Sequence, residues 1–394
     1  MAADRSEQTD EYRDFIELFV ELWHKGLEDP AQTQAQTLEW LVEGYAQTVY
    51  GQERDAADLL ALSGDPLQFF EAYRRAFPIV TYDTLKPWID RVVAGEPHAL
   101  LPEPPVAWAM TRGTTRGTSK RIPITETDLG IRVAAARGLL NHLLRTDQLD
   151  AISGYSLNLN YPSVVGTMDV AGRETPYGFS SGIYVRHAAA ATPVDILPAQ
   201  EEIDDLGGGT MPCAWKRRFD MVYERTKDAP ITMCAGVCPS IIQFGHHLQR
   251  HHKVLPKDLW QMRVIAATSV PGIHTEFKPA LRALFGPVDV VEMYIATEGT
   301  FAQQVDDRCL LVPNFDLYVL EVLGRDGGVK MLHEMRPGEY GSLIVSTPVL
   351  PRYRIGDLVR AFDPPYFRCI GREGRFTKLR YWLDGIRYLD FGRA

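Results

Sequence analysis

Four short stretches carry the residue types that phosphate, metal and sugar chemistry needs. The first is TRGTTRGTSK, residues 111–120. Gly113 and Gly117 permit the sharp bends that turn backbone N–H groups toward an anion. Thr111, Thr114, Thr115 and Thr118 offer hydroxyl donors, and Lys120 adds a charge. The spacing to the lysine is not that of a Walker loop. Arg112 and Arg116 stand where a flexible phosphate loop carries something small. A polar hairpin turn with two surface arginines fits the same residues equally well.

The second stretch is YIATEG, residues 294–299, after the apolar run VDVVEM. Ligands bind beyond the carboxyl ends of strands in open α/β sheets. There Tyr294 can stack on a base, Thr297 can touch a phosphate, and Glu298 offers the hard oxygen that Mg²⁺ takes. Thr-Glu-Gly also closes plain turns. The third is RYRIGDLVR, residues 352–360. Its Asp357 can accept both hydroxyls of a ribose, or can cap its own hairpin. The fourth is GREG, residues 371–374, where Arg372 can contact ribose or phosphate and the glycines can form a hinge.

The elements that must position these stretches follow from periodicity. The first hundred residues read as helices. Tyr12, Phe15, Ile16, Phe19 and Trp23 are spaced to share one face of the first. TYDTLKPWIDRVVAGEP reads as another, stopped by Gly95 and Pro97. PVAWAM and RIPI are strands entering and leaving the 111–120 loop. Thr125 with Asp128 caps a helix over LGIRVAAARGLLNHLLRT. Strands and helices then alternate to about residue 300, which argues a mostly parallel sheet with helices on its faces. From RCLLVPNFDLYVLEVL to YFRCIGREGR the pattern becomes hairpins, with turns at GRDGG and RPGEYG. AAAATPVDILPAQEEIDDLGGGT reads as a surface loop.

Composition narrows the function. A net charge of -9 disfavours nucleic acid as the partner. No apolar run approaches the roughly 20 residues that span a bilayer, so no membrane partner is expected. The acidic start MAADRSEQTDEYRD is no signal peptide, and the expected compartment is cytoplasmic. Cys213, Cys234, Cys238, Cys309 and Cys369 are an odd number without metal-type spacing, expected as buried free thiols. His247 and His251, four apart in FGHHLQRHH, can hold a metal only with a third ligand. None is evident in sequence, so a solvated helix face is expected there.

Taken together, the order and spacing of the four stretches resemble the Gretchen Hagen family of acyl-acid amido synthetases, within the adenylate-forming superfamily. TRGTTRGTSK is close to that family's Ser/Thr-Ser-Gly-Thr-Thr/Ser-x-Gly-x-x-Lys loop, and KRIPIT to its continuation. YIATEG resembles its Tyr-x-x-Ser/Thr-Glu-Gly element, and YRIGDLV its Tyr-Arg-x-Gly-Asp-x-Val element. AQTVYGQE and FPIVTYDTLKPWIDRVVAGEP resemble its N-terminal helices. The likeness runs from about residue 35 to about residue 375.

The resemblance implies an α/β adenylate-forming N-terminal domain fold, with a helical N-terminal segment over residues 1–100. An adenylate-forming core over 101–372 follows, with a mainly parallel sheet and a β-rich part, then a short tail over 373–394. It implies ATP and Mg²⁺, a small apolar or aromatic carboxylic acid, and an amine or amino acid acceptor. Thr111, Gly113, Thr114, Thr115, Gly117 and Lys120 would form the phosphate loop. Tyr294, Thr297 and Glu298 would contact base, phosphate and metal. Asp357 would hold the ribose, and Arg372 the ribose and hinge.

Two departures from the family pattern stand out. Arg112 replaces a small hydroxyl residue and Arg116 a flexible position. Only FTKLRYWLDGIRYLDFGRA follows the hinge, where the family carries a mobile cap of ~100 residues. Arg112 or Arg116 would then replace the charge of a cap lysine, since arginine forks onto phosphate oxygens. A homodimer or protein partner would cover the uncapped site. The competing readings are a non-catalytic nucleotide- or acid-binding relative, and acyl transfer to a coenzyme A or carrier-protein thiol.

Overall fold

The computed structural model describes residues 2–111, 120–192, 194–268, 270–374, 376–377 and 379, with side chains from residue 13 onward. Its first helix, Ala2–Glu28, buries Ile16, Val20 and Trp23. These lie at i, i+4 and i+7, a narrower stripe than the expected one. Ile16 packs in one cluster with Leu143, Leu149, Ala151 and Ile152, while Trp23 Nε1 donates to Pro313 O at 3.4 Å. Phe15 was expected on that face and is instead 64% exposed, beside exposed Leu18 and Leu22. The helix thus turns one apolar face inward and leaves a second outside. The side chain of Tyr12 lies outside the described residues.

The next helices begin where local chemistry says they must. Asp29 accepts from Gln32 N at 3.1 Å and Pro30 opens the helix Pro30–Ala46. Asp65 and Pro66 repeat that arrangement before Pro66–Ala76. Tyr82–Val93 ends before Gly95, whose φ of 102° only glycine adopts readily. A buried polar seam ties this layer to the β-rich part. Gln34 donates to the carbonyls of Phe315 and Tyr318, both at 2.6 Å, and accepts from Leu320 N at 2.9 Å. Arg352 pairs with buried Glu321 at 2.9 Å and donates to the carbonyls of Arg74 and Phe77.

The described residues beyond these helices form three sheets and the helices between their strands. The seven-stranded sheet runs Val312–Pro313, Gly299–Gln303, Asp289–Ala296, Val264–Thr268, Ile231–Val237, Tyr155–Leu157, Ile196–Leu197. Its last five strands are parallel and the pairs at the other end antiparallel. The four-stranded sheet orders Arg121–Ile124, Ala107–Met110, Arg173–Phe179 and Gly166–Val170. The five-stranded sheet orders Val329–Met331, Val319–Leu323, Tyr340–Thr347, Leu350–Ala361 and Phe367–Arg372, all antiparallel. The expected mixed α/β architecture is therefore present, with its parallel sheet and its β-rich part.

Several local readings change. LGIRVAAARGLLNHLLRT forms two helices, Glu126–Ala134 and Arg137–Arg145, with a turn at 135–136 beyond which Arg137 pairs with Asp316. AAAATPVDILPAQEEIDDLGGGT contains the edge strand Ile196–Leu197 and the short helix Gln200–Asp204, so it is not a plain loop. Its Asp204 accepts from Ser163 N at 2.6 Å, giving that stretch an internal task. Cys234 and Cys238 are buried, but Cys213 is exposed and Cys309 and Cys369 are partly so. His247 is buried against Asp220 and is not on a solvated face. Among the described residues, no helix is long and apolar enough to cross a membrane.

Candidate active site

The strands Ala107–Met110 and Arg121–Ile124 form one antiparallel hairpin, paired from Ala107↔Ile124 to Met110↔Arg121. Its neck is closed by Thr111 N donating to Lys120 O at 3.0 Å, and by Lys120 N donating to Thr111 Oγ1 at 3.1 Å. Arg112, Gly113, Thr114, Thr115, Arg116 and Gly117 lie outside the described residues. From the neck, Lys120 Nζ reaches Tyr353 Oη at 3.3 Å and lies 5.4 Å from the centre of the Tyr82 ring.

A second hairpin presents Thr297 and Glu298. The strands Asp289–Ala296 and Gly299–Gln303 pair at Ala296↔Gly299, leaving these two residues as the turn. Gly299 is required there, because a Cβ would stand 2.7 Å from the Phe301 ring. The turn is held from behind. Arg132 donates to Thr297 O at 2.9 Å, and its other arm pairs with Asp128 at 2.7 Å, both side chains buried. Asp128 is placed by the cap that Thr125 provides, its N–H meeting Thr125 Oγ1 at 3.2 Å.

The five-stranded sheet supplies the third wall. Asp357 and Arg372 face each other in register across Leu350–Ala361 and Phe367–Arg372. Arg372 Nη1 donates to Asp357 Oδ1 at 3.1 Å and to Ile355 O at 2.6 Å. Tyr294 Oη donates to Asp357 Oδ2 at 2.5 Å. The Tyr294 ring is buried against Phe301 and Phe367, so it serves here as a core side chain whose hydroxyl orients Asp357. Gly356 and Gly371, at φ of 86° and 121°, let the two strands bend beside this pair. Glu373 continues the wall, paired with Arg354 Nη2 at 2.5 Å and accepting from Ser342.

These groups share one electrostatic field. Burial pushes the Glu298 carboxyl, 3% exposed, above its ordinary value, against the pull of Arg372 and Lys120. Burial raises Asp357 too, against Arg372 and Tyr294. Burial also lifts the Tyr294 phenol well above its ordinary range, with Cys369 and Asp357 adding to it, so it remains a donor. The result is two buried carboxyls flanked by two cations, one of which, Arg372, is 62% exposed and reachable. Such a site can bind a polyphosphate at its cationic rim and a hard divalent cation at Glu298.

The sequence-derived residues Lys120, Tyr294, Thr297, Glu298, Asp357 and Arg372 thus come together from three distant segments. Tyr353, Arg132 and Asp128 were missed. Tyr353 lies within the quoted 352–360 stretch, and the alternating burial of that strand places it and Asp357 on the same face. Arg132 and Asp128 gave an i,i+4 signal of opposite charge, but nothing in sequence placed it behind Thr297.

Comparison with known proteins bears on this geometry. The model of the GH3 family N-terminal domain matches residues 21–191. An indole-3-acetic acid-amido synthetase of Arabidopsis thaliana, GH3.15, is 36% identical over 63 residues, 16% of this chain and 11% of that protein. A probable indole-3-acetic acid-amido synthetase of Oryza sativa subsp. japonica, GH3.13, is 32% identical over 73 residues, 18% of this chain and 16% of that one. These matches span under a fifth of either relative. Among solved structures, the AtGH3.15 acyl acid amido synthetase in complex with 2,4-DB aligns at a TM-score of 0.69 and 17% identity, covering 91% of this chain and 70% of that one. A 2-hydroxyisobutyryl-CoA ligase in an open conformation aligns at 0.56 and 14% identity, covering 86% and 74%.

Proposed function

We propose that this chain, whose residues 21–191 match the GH3 family N-terminal domain, activates a small carboxylic acid with ATP and passes the acyl group to an amine or amino acid. The observation that carries this reading is the meeting of Lys120, Glu298, Asp357 and Arg372 around one buried, mixed-charge wall. A carboxylate oxygen of the acid attacks the α-phosphorus of ATP. The bond to pyrophosphate breaks, leaving an acyl-adenylate. The amine then attacks the acyl carbon, AMP departs with the bonding pair, and the amine loses its proton.

No side chain acts as a nucleophile, so the protein's work is positioning and neutralisation. Lys120 and the loop it closes, with Thr111, Gly113, Thr114, Thr115 and Gly117, take the phosphates. Arg112 adds a forked cation to them. Asp357, oriented by Tyr294 and Arg372, accepts the ribose hydroxyls. Mg²⁺ fits this site, because it uses one or two carboxylates and completes its shell with phosphate oxygens and water. Glu298 would hold it, and the ion supplies neutralisation of phosphate charge. The division at residues 100 and 372, and a cytoplasmic setting, belong to the same reading.

Calorimetric titration with Mg·ATP tests the assignment. The wild type is expected to bind, and Asp357→Ala and Lys120→Ala to bind at least roughly 10-fold more weakly, the loss of one charge-assisted contact. Unchanged affinity in both variants, with fold retained, would remove the nucleotide from this wall.

A further inference from the structure

Away from this site, three metal-ligating side chains converge on the helices that cover the parallel sheet. Asp220 lies in the helix Pro212–Thr226, His247 ends the helix Cys238–His247, and His252 ends the π-turn Leu248–His252. His247 Nε2 stands 2.7 Å from Asp220 Oδ1, and His252 Nε2 stands 3.3 Å from the same oxygen. One ligand-type atom from each of the three lies within 4.8 Å of the others.

The π-turn is what makes this possible. In an unbroken α-helix, at about 100° per residue, positions i and i+5 point about 140° apart. The i to i+5 closure of a π-turn stacks them instead, and such turns concentrate at functional sites. Here it carries His252 around to the side of His247 and Asp220. It leaves His251, the i+4 neighbour that an α-helix would offer, exposed. Both imidazoles pack on rings: Tyr223 lies 3.9 Å from His252, and His251 4.6 Å and Phe219 5.5 Å from His247, centre to centre, so His251 touches His247 as a neighbour and not as a ligand.

We propose that Asp220, His247 and His252 bind a divalent transition-metal ion of the Zn²⁺ class, pinning the end of the π-turn to the helix Pro212–Thr226. Two imidazoles and one carboxylate suit such an ion, with the remaining positions open to water. Ligand bonds of ~2.0 Å need ligand atoms about 3.3 Å apart. The 3.3 Å separation meets this, and the 2.7 Å one needs a small rotation that Asp220, 42% exposed, is free to make.

The test titrates the metal-free full-length protein with Zn²⁺ against a chromophoric chelator, and follows the melting temperature with and without Zn²⁺. One ion per chain, bound in the low micromolar range or tighter, with a rise in melting temperature, is expected. His252→Ala and Asp220→Asn should each weaken binding at least ~10-fold and abolish the thermal shift, while His251→Ala changes neither. Circular dichroism checks that each variant is folded. The proposal fails if Zn²⁺ does not bind saturably. It fails equally if His252→Ala binds as the wild type does, or if binding depends on His251.

Discussion

Under the proposed function, the balance between burial and charge at Glu298 sets the pH range of activity. Burial raises its carboxyl above the ordinary value, and Arg372 and Lys120 only partly reverse this. Holding Mg²⁺ requires the ionised form, which is lost as pH falls through the raised value. The acid limb of nucleotide-dependent turnover should therefore lie above the ordinary glutamate range of about 4.3. Glu298→Gln should lower turnover by roughly 10²-fold or more and remove that limb. A limb in the same place in both proteins would assign it to another group. Residue identity was the most readable layer of this site. Lys120, Glu298, Asp357 and Arg372 each sit in a short motif whose chemistry can be read locally. What could not be read was the packing of Tyr294. Its ring is packed by Phe301 and Phe367, which are 7 and 73 positions away.

The turn that carries Glu298 is only as firm as the helix behind it. Arg132 spans from Asp128 to the carbonyl of Thr297, so it ties the helix Glu126–Ala134 to the two-residue turn. Replacing Asp128 by Ala leaves a buried guanidinium without its carboxylate partner and should cost about 3–5 kcal/mol, measured by urea unfolding. The double replacement Asp128→Leu with Arg132→Met should recover most of that stability but not nucleotide turnover, since Thr297 O is left without its donor. Recovery of both would mean that Arg132 does not position the turn. Elements of this kind were readable where caps and periodicity speak, as with Thr125 and Asp128. The break at residues 135–136 was not, and the partner of Arg137 beyond it, Asp316, lies 179 positions on.

Across the molecule, the order of strands and helices followed from hydrophobic pattern, since a parallel sheet needs crossover helices. How its layers are clamped did not, because buried pairs such as Arg352–Glu321 and His274–Glu292 join distant segments. His274 Nε2 lies 3.3 Å from Glu292 Oε2. Burial alone would depress this imidazole, but Cys309 and Glu292 outweigh it and raise it to about 9. A raised imidazolium stabilises the fold fully below its ordinary value of 6.5, and that contribution is lost as pH rises through about 9. Unfolding midpoints in urea should thus decline between these values, and His274→Gln should flatten the decline. An equal decline in the variant would place its origin elsewhere.

The central claim is that the Glu298–Asp357–Arg372 wall serves adenylation. ATP–pyrophosphate exchange against a panel of aryl and alkyl carboxylic acids, without any amine, tests it most directly. Exchange should require both Mg²⁺ and one class of acid, and should be lost in Asp357→Ala. Exchange absent with every acid, from a protein that binds Mg·ATP, would contradict it and leave a nucleotide-binding protein without this chemistry.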